Sequence, residues 1–152
     1  MSQNRDHYKE IVQVKKLAVS GTNGPVLHKV ISGAALKALL TGSAQTLMTL
    51  AAGDRVLDVQ VNVTTAVGTT CTLSVGGNAT FTGSSPVANA FINAQNINTE
   101  ASYRMTLLTP TLGVAMIPCA ADDGAITVTS SVDASASSFD GEIVVIFAQK
   151  TL

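Results

Sequence analysis

The residue types that most often carry catalysis are scarce in this chain. Its two histidines, His7 and His28, both lie close to the N-terminus. A Ser-His-Asp hydrolase would have to recruit one of them, and the Gly-x-Ser-x-Gly turn that presents such a serine does not occur. The GxxxxGKS/T, GxGxxG and HExxH motifs are also absent from the sequence. The sequence therefore predicts no enzyme and no cofactor, with His7 solvated and His28 associated with a turn.

The cysteines and the paired acids do not form a metal-ligand pattern either. Cys71 and Cys119 are too far apart in the sequence for such a motif, so we expect two buried small hydrophobic residues. A disulfide between them would require that their strands be neighbours. Gly124 follows Asp122 and Asp123, which indicates a turn. Calcium needs about six or more oxygen ligands, and few other acids are nearby, so no metal is predicted.

Charge is concentrated at one end of the chain. Residues 1–37 hold six basic and two acidic residues, whereas the rest of the chain holds three basic and eight acidic ones. No Asp, Glu, Lys or Arg stands between Asp58 and Glu100. Charged residues make up 12% of the chain, against roughly a quarter in ordinary soluble domains. We therefore expect copies or a partner to cover much of the body, and the basic end to contact an acidic neighbour.

Period-two alternation of apolar and polar residues recurs and predicts strands with one face toward a core. The alternating runs are Leu57–Val63, Cys71–Val75, Tyr103–Leu107 and Ile126–Thr129. The run Glu142–Ala148 is apolar on both faces. It predicts a central strand, or one whose outer face meets another subunit, with Ile143, Val145 and Phe147 in the core rather than in an interface.

Short turn signals separate these runs. They are Ala52–Asp54, Gly76–Asn78, Gly83–Pro86, Asp122–Gly124 and Asp140–Gly141. Many short strands with frequent Gly, Asn and Asp breaks predict an all-β fold, a sandwich or a barrel, in one domain.

One helical pattern interrupts the strands. It covers Ser32–Leu40, where Ser32 can cap the helix and Leu36, Leu39 and Leu40 share a face. A helix of about two turns is not stable alone, so we expect it to plug one end of the sandwich.

The basic end is separated from the strands by a break. Gly21–Pro25 combines Gly, Asn and Pro, which interrupt regular structure. The prediction is an extended basic N-terminal arm, residues 1–24, followed by a single β-sandwich body, residues 25–152.

Export, membrane insertion and nucleic-acid binding are not indicated. The first residues, MSQNRDHYKEIVQ, contain no apolar segment of a signal peptide. The longest apolar uncharged run, Met105–Ala121, is too short for a spanning helix and contains Pro110 and Pro118. The net charge of −1 gives no reason to expect direct nucleic-acid contact.

A sugar-binding module is the natural rival for a small β-sandwich. Such sites stack sugar rings on exposed aromatic side chains. The chain has no Trp, two Tyr and four Phe. Most of these rings are needed to fill the core, so the composition argues against this rival and leaves it open.

Part of the chain resembles a known group of proteins. The segments SGAALKALL and TGSAQTLMTLAAGDRVLDVQVNVTTA are similar to the opening of small virion proteins of tailed bacteriophages, the head decoration or cement proteins. The Leu73–Gly77 segment and the closing GEIVVIFAQK strand also fit, so the resemblance covers Ser32–Lys150. It implies a T-L-x-x-L strand and a jelly-roll-like β-sandwich, commonly trimeric, that sits on the icosahedral shell and clamps adjacent capsid subunits. The charged arm has no counterpart in that pattern.

Together, these observations predict a structural virion protein. It is expected to be a homotrimeric capsid decoration protein on the capsid exterior, assembled in the host cytoplasm, with the major capsid protein as partner. The arm residues predicted to make the contact are Arg5, Lys9, Lys15 and Lys16. Two alternatives remain open, a tail, neck or fibre-base component and a glycan-binding module.

Overall fold

A computed structural model of the chain describes residues 23–82, 85–105 and 119–150. Within these ranges the chain forms eight strands and two short helices. The strands are β1 (Asn23–Ser32), β2 (Gln45–Leu50), β3 (Arg55–Thr65), β4 (Thr72–Gly77), β5 (Val87–Asn96), β6 (Ala101–Arg104), β7 (Gly124–Ser130) and β8 (Asp140–Lys150). The helices are α1 (Gly33–Lys37) and α2 (Ala79–Thr82).

The strands form two four-stranded antiparallel sheets. One has the order β1-β8-β3-β6 and the other β2-β7-β4-β5. All paired strands run antiparallel, and the chain crosses from one sheet to the other at most connections. This interleaved order is that of a jelly roll, and it confirms the predicted jelly-roll-like β-sandwich.

The core lies between the two sheets. From the first sheet it takes the inward residues of β3 and β8, and from the second those of β4 and β7. The fully buried members include Val59, Val61, Leu73, Val75, Ile126, Val128, Ile143 and Val145. Burial alternates along β8, and along β3 it alternates from Val59 onward. The pairing of β3 with β8 is irregular between Val56 and Asp58, where Leu57 is half-buried and Asp58 is buried, so the prediction that Leu57 shares the core face with Val59 is wrong. Strand β8 lies between β1 and β3, so the prediction of a central strand is confirmed, and Ile143, Val145 and Phe147 are core residues.

The predicted helix is shorter than its pattern but fills its predicted role in packing. Helix α1 covers Gly33–Lys37, and hydrogen-bonded turns continue to Leu40. Leu36 and Leu40 are fully buried, and Leu39 packs against the core. Ser32 occupies the N-cap position in an extended conformation, but its side chain makes no capping hydrogen bond. The predicted cap at Ser32 is therefore wrong.

Two predicted turns lie inside or at the start of strands. Gly76 and Gly77 belong to β4, and an added Cβ at Gly76 would lie 1.9 Å from the carbonyl oxygen of Val87. Gly141 belongs to β8, where an added Cβ would lie 2.4 Å from the carbonyl oxygen of Asn62. Both positions require glycine because another backbone segment passes too close to leave room for a Cβ atom. Neither glycine is required by a turn.

The predicted boundary between arm and body lies at the start of the described residues. Strand β1 begins at Asn23, inside the predicted break Gly21–Pro25, and its pairing with β8 is irregular between Asn23 and Val26. Residues 1–22 lie outside the described residues, and so does Leu107 of a predicted strand. An arm over residues 1–24 and a body over residues 25–152 remain predictions.

Candidate assembly interface

The two sheets differ completely in charge. The strands β1, β3, β6 and β8 carry every ionisable Asp, Glu, Lys, Arg and His found in the eight strands. The strands β2, β4, β5 and β7 carry none. We call β1-β8-β3-β6 the charged sheet and β2-β7-β4-β5 the neutral sheet. Chain topology thus places β4 and β5, from the charge-free stretch between Asp58 and Glu100, in one layer with the uncharged strands β2 and β7.

The outer face of the neutral sheet is lined with hydroxyl groups. Thr46 on β2 lies opposite Thr127 on β7, and Ser74 on β4 lies opposite Thr129 on β7. Their strand neighbours Leu47, Leu73, Val75 and Val128 point into the core. Six hydroxyl residues share this outer face, and we call them the hydroxyl face: Thr46, Thr49, Thr72, Ser74, Thr127 and Thr129. Thr46 and Thr49 are exposed and the other four are half-buried.

The charged sheet carries an aliphatic patch on its outer face. Val30 of β1 lies opposite Val144 of β8, and Ile146 of β8 lies two residues further along the same face. Val26 and Val30 are 44% and 42% exposed, whereas Val144 and Ile146 are half-buried. We call these four residues the aliphatic patch. The exposed His28 lies between Val26 and Val30 on the same face, opposite Ile146. Exposed aliphatic side chains gathered on one face are typical of contact surfaces.

The first half of β1 is exposed on both of its faces. All residues from Pro25 to Val30 are exposed, including Leu27, which faces the inner side opposite Phe147. This part of β1 therefore extends beyond the cover of the neutral sheet. His28 lies in the middle of this strand and is exposed, so the prediction that it is associated with a turn is wrong.

A polar network lies beside the aliphatic patch. Arg104 Nε donates to Asp58 Oδ2 at 2.7 Å, and Gln60 Nε2 donates to the same oxygen at 2.9 Å. On the next rung, Asn62 Nδ2 donates to Glu142 Oε1 at 2.8 Å. The Asp58 side chain is 9% exposed and that of Arg104 is 71% exposed. The carboxylate thus holds an exposed guanidinium in a fixed position, which suits recognition of a partner.

The described residues do not bring together a catalytic or metal-binding set. Cys71 and Cys119 are both buried and unpaired with each other. No group of three or more His, Cys, Asp or Glu in the described ranges could hold a metal ion. Asp122 Oδ1 accepts a hydrogen bond from the Ala52 amide at 2.9 Å, which ties two turns together. The amide and hydroxyl groups of Ser135 donate hydrogen bonds to Asp133 Oδ1 and lower the pKa of this carboxyl group. Both bonds are local contacts within one exposed loop.

Among residues 23–82, 85–105 and 119–150, the aromatic rings do not offer a stacking platform for sugars, and Tyr8 lies outside these ranges. Phe81, Phe91, Phe139 and Phe147 are buried. Tyr103 is half-buried against the core, and its hydroxyl donates to the Asn96 carbonyl oxygen. Within the described ranges no helix has the length and apolar character to cross a bilayer.

The four predicted contact residues of the arm, Arg5, Lys9, Lys15 and Lys16, lie outside the described residues. The aliphatic patch and the hydroxyl face were not predicted as sites. The segment VLHKV of β1 has no period-two pattern that would have indicated a strand. Only Thr72 and Ser74 of the hydroxyl face lie in the charge-free stretch between Asp58 and Glu100, so only strand order shows that its six members share one surface.

Asp54 stabilises the turn between β2 and β3. Its side chain is buried and accepts hydrogen bonds from the amides of Ala51 at 3.0 Å and Lys150 at 3.2 Å. Its carbonyl oxygen accepts a hydrogen bond from the Cys119 amide at 2.7 Å. Asp54 thus joins the turn to the end of β8 and to the segment before β7.

We expect Asp54→Ala to lower the free energy of unfolding by about 1–3 kcal/mol, because two amides lose their acceptor. The exposed Asp123 on a nearby turn supplies the control, since Asp123→Ala should change stability by no more than about 0.5 kcal/mol. Urea denaturation measures both variants. Equal midpoints for the two would contradict this role of Asp54.

Known structures share this fold. A chain of the capsid asymmetric unit of cyanophage Pam1 is 20% identical with a TM-score of 0.50, and the match covers 84% of this chain and 86% of that one. A chain of the capsid of Ralstonia phage GP4 is 18% identical with a TM-score of 0.59, covering 86% and 88%. A chain of the acid-stable capsid of Helicobacter pylori bacteriophage KHP30 is 12% identical with a TM-score of 0.60, covering 85% and 91%.

Comparisons of the sequence assign the chain to no protein family. No protein-family model matches the chain, and no curated protein sequence matches it significantly. The similarity to the three phage capsid chains is therefore one of fold, over nearly the whole length of each partner. The predicted resemblance to structural proteins of bacteriophage capsids is therefore confirmed at the level of the fold.

Proposed function

We propose that this protein is a structural protein of a bacteriophage virion, specifically a capsid decoration or cement protein. It forms a homotrimer, binds the exterior of the icosahedral shell and clamps neighbouring copies of the major capsid protein. Assembly takes place in the host cytoplasm, and the role is mechanical, without catalysis. The observation that carries the proposal is a jelly roll shared with chains of three phage capsids over more than four fifths of the chain.

The surface of the sandwich supports an assembly role. It offers an aliphatic patch, a positioned arginine and a hydroxyl face without charge, and it has no arrangement for chemistry in the described ranges. A cement protein needs broad contact surfaces, because many weak contacts repeated by symmetry reinforce a shell. Charge-poor surfaces suit such contacts, since desolvating an unpaired charge is costly.

We assign the shell contact to the aliphatic patch together with the basic arm. The patch lies on β1 and β8, and the arm residues Arg5, Lys9, Lys15 and Lys16 precede β1 in the chain. The patch supplies hydrophobic contact and the arm supplies positive charge, so together they fit an acidic surface with an apolar depression.

Electron microscopy of labelled particles tests the function directly. We expect density for the labelled protein at repeated positions on the faces of the shell. A ring of label at a single vertex would instead favour a tail, neck or fibre-base component. The absence of label from purified virions would contradict a virion role.

Replacing two exposed valines should weaken binding to the shell. Val26 and Val30 are each somewhat over 40% exposed, so Val26→Ser with Val30→Ser removes apolar area worth about 1–2 kcal/mol when covered. We therefore expect about tenfold weaker binding to capsids stripped of the protein, measured by co-sedimentation. Val132, a loop residue that is 42% exposed, supplies the matched control, and Val132→Ser should bind normally. Equal binding by both variants would contradict the assignment of the patch.

A further inference from the structure

Strand β1 is an edge strand whose second long side pairs with no other described strand. It is the outermost strand of the charged sheet and pairs with β8 on its inner side. The strand has ten residues, about twice the usual length. Four large hydrophobic side chains are exposed in the described ranges, and three of them, Val26, Leu27 and Val30, lie on β1. A long edge strand with exposed aliphatic side chains is a template for a further strand.

The segment shortly before β1 has the composition of a strand. Ile11–Val19 reads IVQVKKLAV, and we call it the arm segment. It is rich in β-branched residues, which favour strands. It carries Lys15 and Lys16 and no acidic residue, whereas the described ranges hold five basic and eight acidic residues. Both composition and charge therefore favour contact between the arm segment and the body.

The connection between the arm segment and β1 has the length of a hairpin loop. Ser20–Thr22 separates Val19 from Asn23, where β1 begins. Loops of about two to five residues join antiparallel strands, and Gly21 tolerates the backbone conformations that such loops use. So short a connection holds the arm segment at a high effective concentration beside its own β1. The β1 edge of another copy is the weaker competitor, because the two bodies carry the same net negative charge and repel each other.

We propose that the arm segment pairs antiparallel with the outer edge of β1 in its own chain and adds a fifth strand to the charged sheet. A connection of three residues sets the register. It places Val19 opposite Asn23, Val14 opposite His28 and Val12 opposite Val30.

This register agrees with the side chains that it brings together. It places both valines of the arm segment on the face that carries the aliphatic patch, because their partners His28 and Val30 lie on that face. Lys29 lies opposite Gln13, so no two cations face each other across the strands. A connection of two residues would instead place Lys15 opposite His28 and move both valines to the other face.

The pairing deepens the proposed shell contact and rests on the proposed function for its role. Val12 and Val14 enlarge the aliphatic patch, and Lys16 borders it opposite Val26. The apolar and the basic parts of the contact then form one surface, with an apolar centre and a charged rim.

A pair of cysteines tests the register in the full-length protein. Val12→Cys together with Val30→Cys places thiols on directly opposite residues, whose Cβ separation suits a disulfide. Under mild oxidation we expect most chains to form this bond within one chain. A non-reducing gel and peptide mass spectrometry detect it, and circular dichroism checks the fold. Cys71 and Cys119 are buried, so they should contribute little to the reaction.

Val132 supplies the matched control. It is exposed to the same fraction as Val30, 42%, and lies on the loop between β7 and β8. Val12→Cys with Val132→Cys should form at least about tenfold less disulfide, because only chance collisions bring these residues together. Equal amounts of disulfide in the two variants, or none in either, would overturn the proposal. Disulfides between chains in the first variant would also overturn it, since β1 would then take the arm segment of a second copy.

Capsid binding keeps this inference separate from the proposed function. Co-sedimentation of the wild-type protein with stripped capsids measures that function without any cysteine. Binding to capsids without an internal disulfide in the Val12→Cys and Val30→Cys variant would support the proposed function and reject this inference. An internal disulfide in a protein that does not bind capsids would support the pairing and reject the proposed function.

Discussion

Deletion of residues 1–20 should abolish binding to capsids while leaving the sandwich folded. The deleted segment contains Arg5, Lys9, Lys15 and Lys16 against two acidic residues, Asp6 and Glu10. Several cations that meet an acidic surface together contribute both attraction at a distance and contact at the interface. The core of the described residues begins at Ile31, so the deletion removes none of it. Co-sedimentation with stripped capsids measures binding, and thermal denaturation followed by circular dichroism measures folding.

A full-length variant separates charge from chain length in this experiment. Replacing Arg5, Lys9, Lys15 and Lys16 with Gln keeps the segment and removes its positive charge. We expect this variant to lose most of its binding, and the binding of the wild type to weaken as salt rises, because exposed charge pairs are screened. Unchanged binding after deletion would show that the arm is not the contact. Loss of folding after deletion would contradict the boundary between arm and body.

Gly76→Ala should be among the most destabilising single changes in the body. An added Cβ would lie 1.9 Å from the Val87 carbonyl oxygen and 2.4 Å from the Ala88 carbonyl carbon, and both are backbone atoms. Strand β4 cannot retreat, because it is paired with β7 on its other side. We expect a loss of at least about 3 kcal/mol in the free energy of unfolding. For a domain of this size that corresponds to a melting temperature lower by about 6–12 °C.

Gly68 provides the control for this substitution. An added Cβ there meets nothing within 4 Å. Gly68→Ala should therefore be neutral or stabilise the protein by up to about 1 kcal/mol, because it restricts the unfolded chain. Calorimetry on the two variants compares the same chemical change at a crowded and at an open position. A Gly76→Ala variant as stable as wild type would mean that β5 does not pass so close to β4.

Local pattern was enough to predict several elements. Strands β3, β4 and β7 each bury one face over most of their length, and burial on one face requires the period-two alternation that their sequences show. The run of β8 is apolar on both faces, which indicates a central strand. Leu36, Leu39 and Leu40 could be assigned to one buried face because three and four residues bring side chains together on a helix. The short T-L-x-x-L strand implied by the phage resemblance is β2.

Strands β1 and β5 could not be predicted from pattern. The first half of β1 is exposed on both faces, so no face selects apolar residues and no alternation arises. In β5 three successive residues, Ala90, Phe91 and Ile92, are all buried, and the pairing with β4 is irregular on both sides of Val75. A strand that is exposed throughout, or irregular where it is buried, lacks the period on which recognition depends.

The sequence by itself determined that the protein is built of β-strands around one core, poor in charge and basic at its N-terminal end. These properties follow from residue types and local spacing, which act before any long-range contact forms. Tertiary structure alone decided that β1 pairs with β8, from nearly the opposite end of the chain, and that β2, β4, β5 and β7 share a layer. Because strand order depends on contacts between distant segments, only the folded chain collects the hydroxyl residues on one face and the ionisable strand residues in the other sheet.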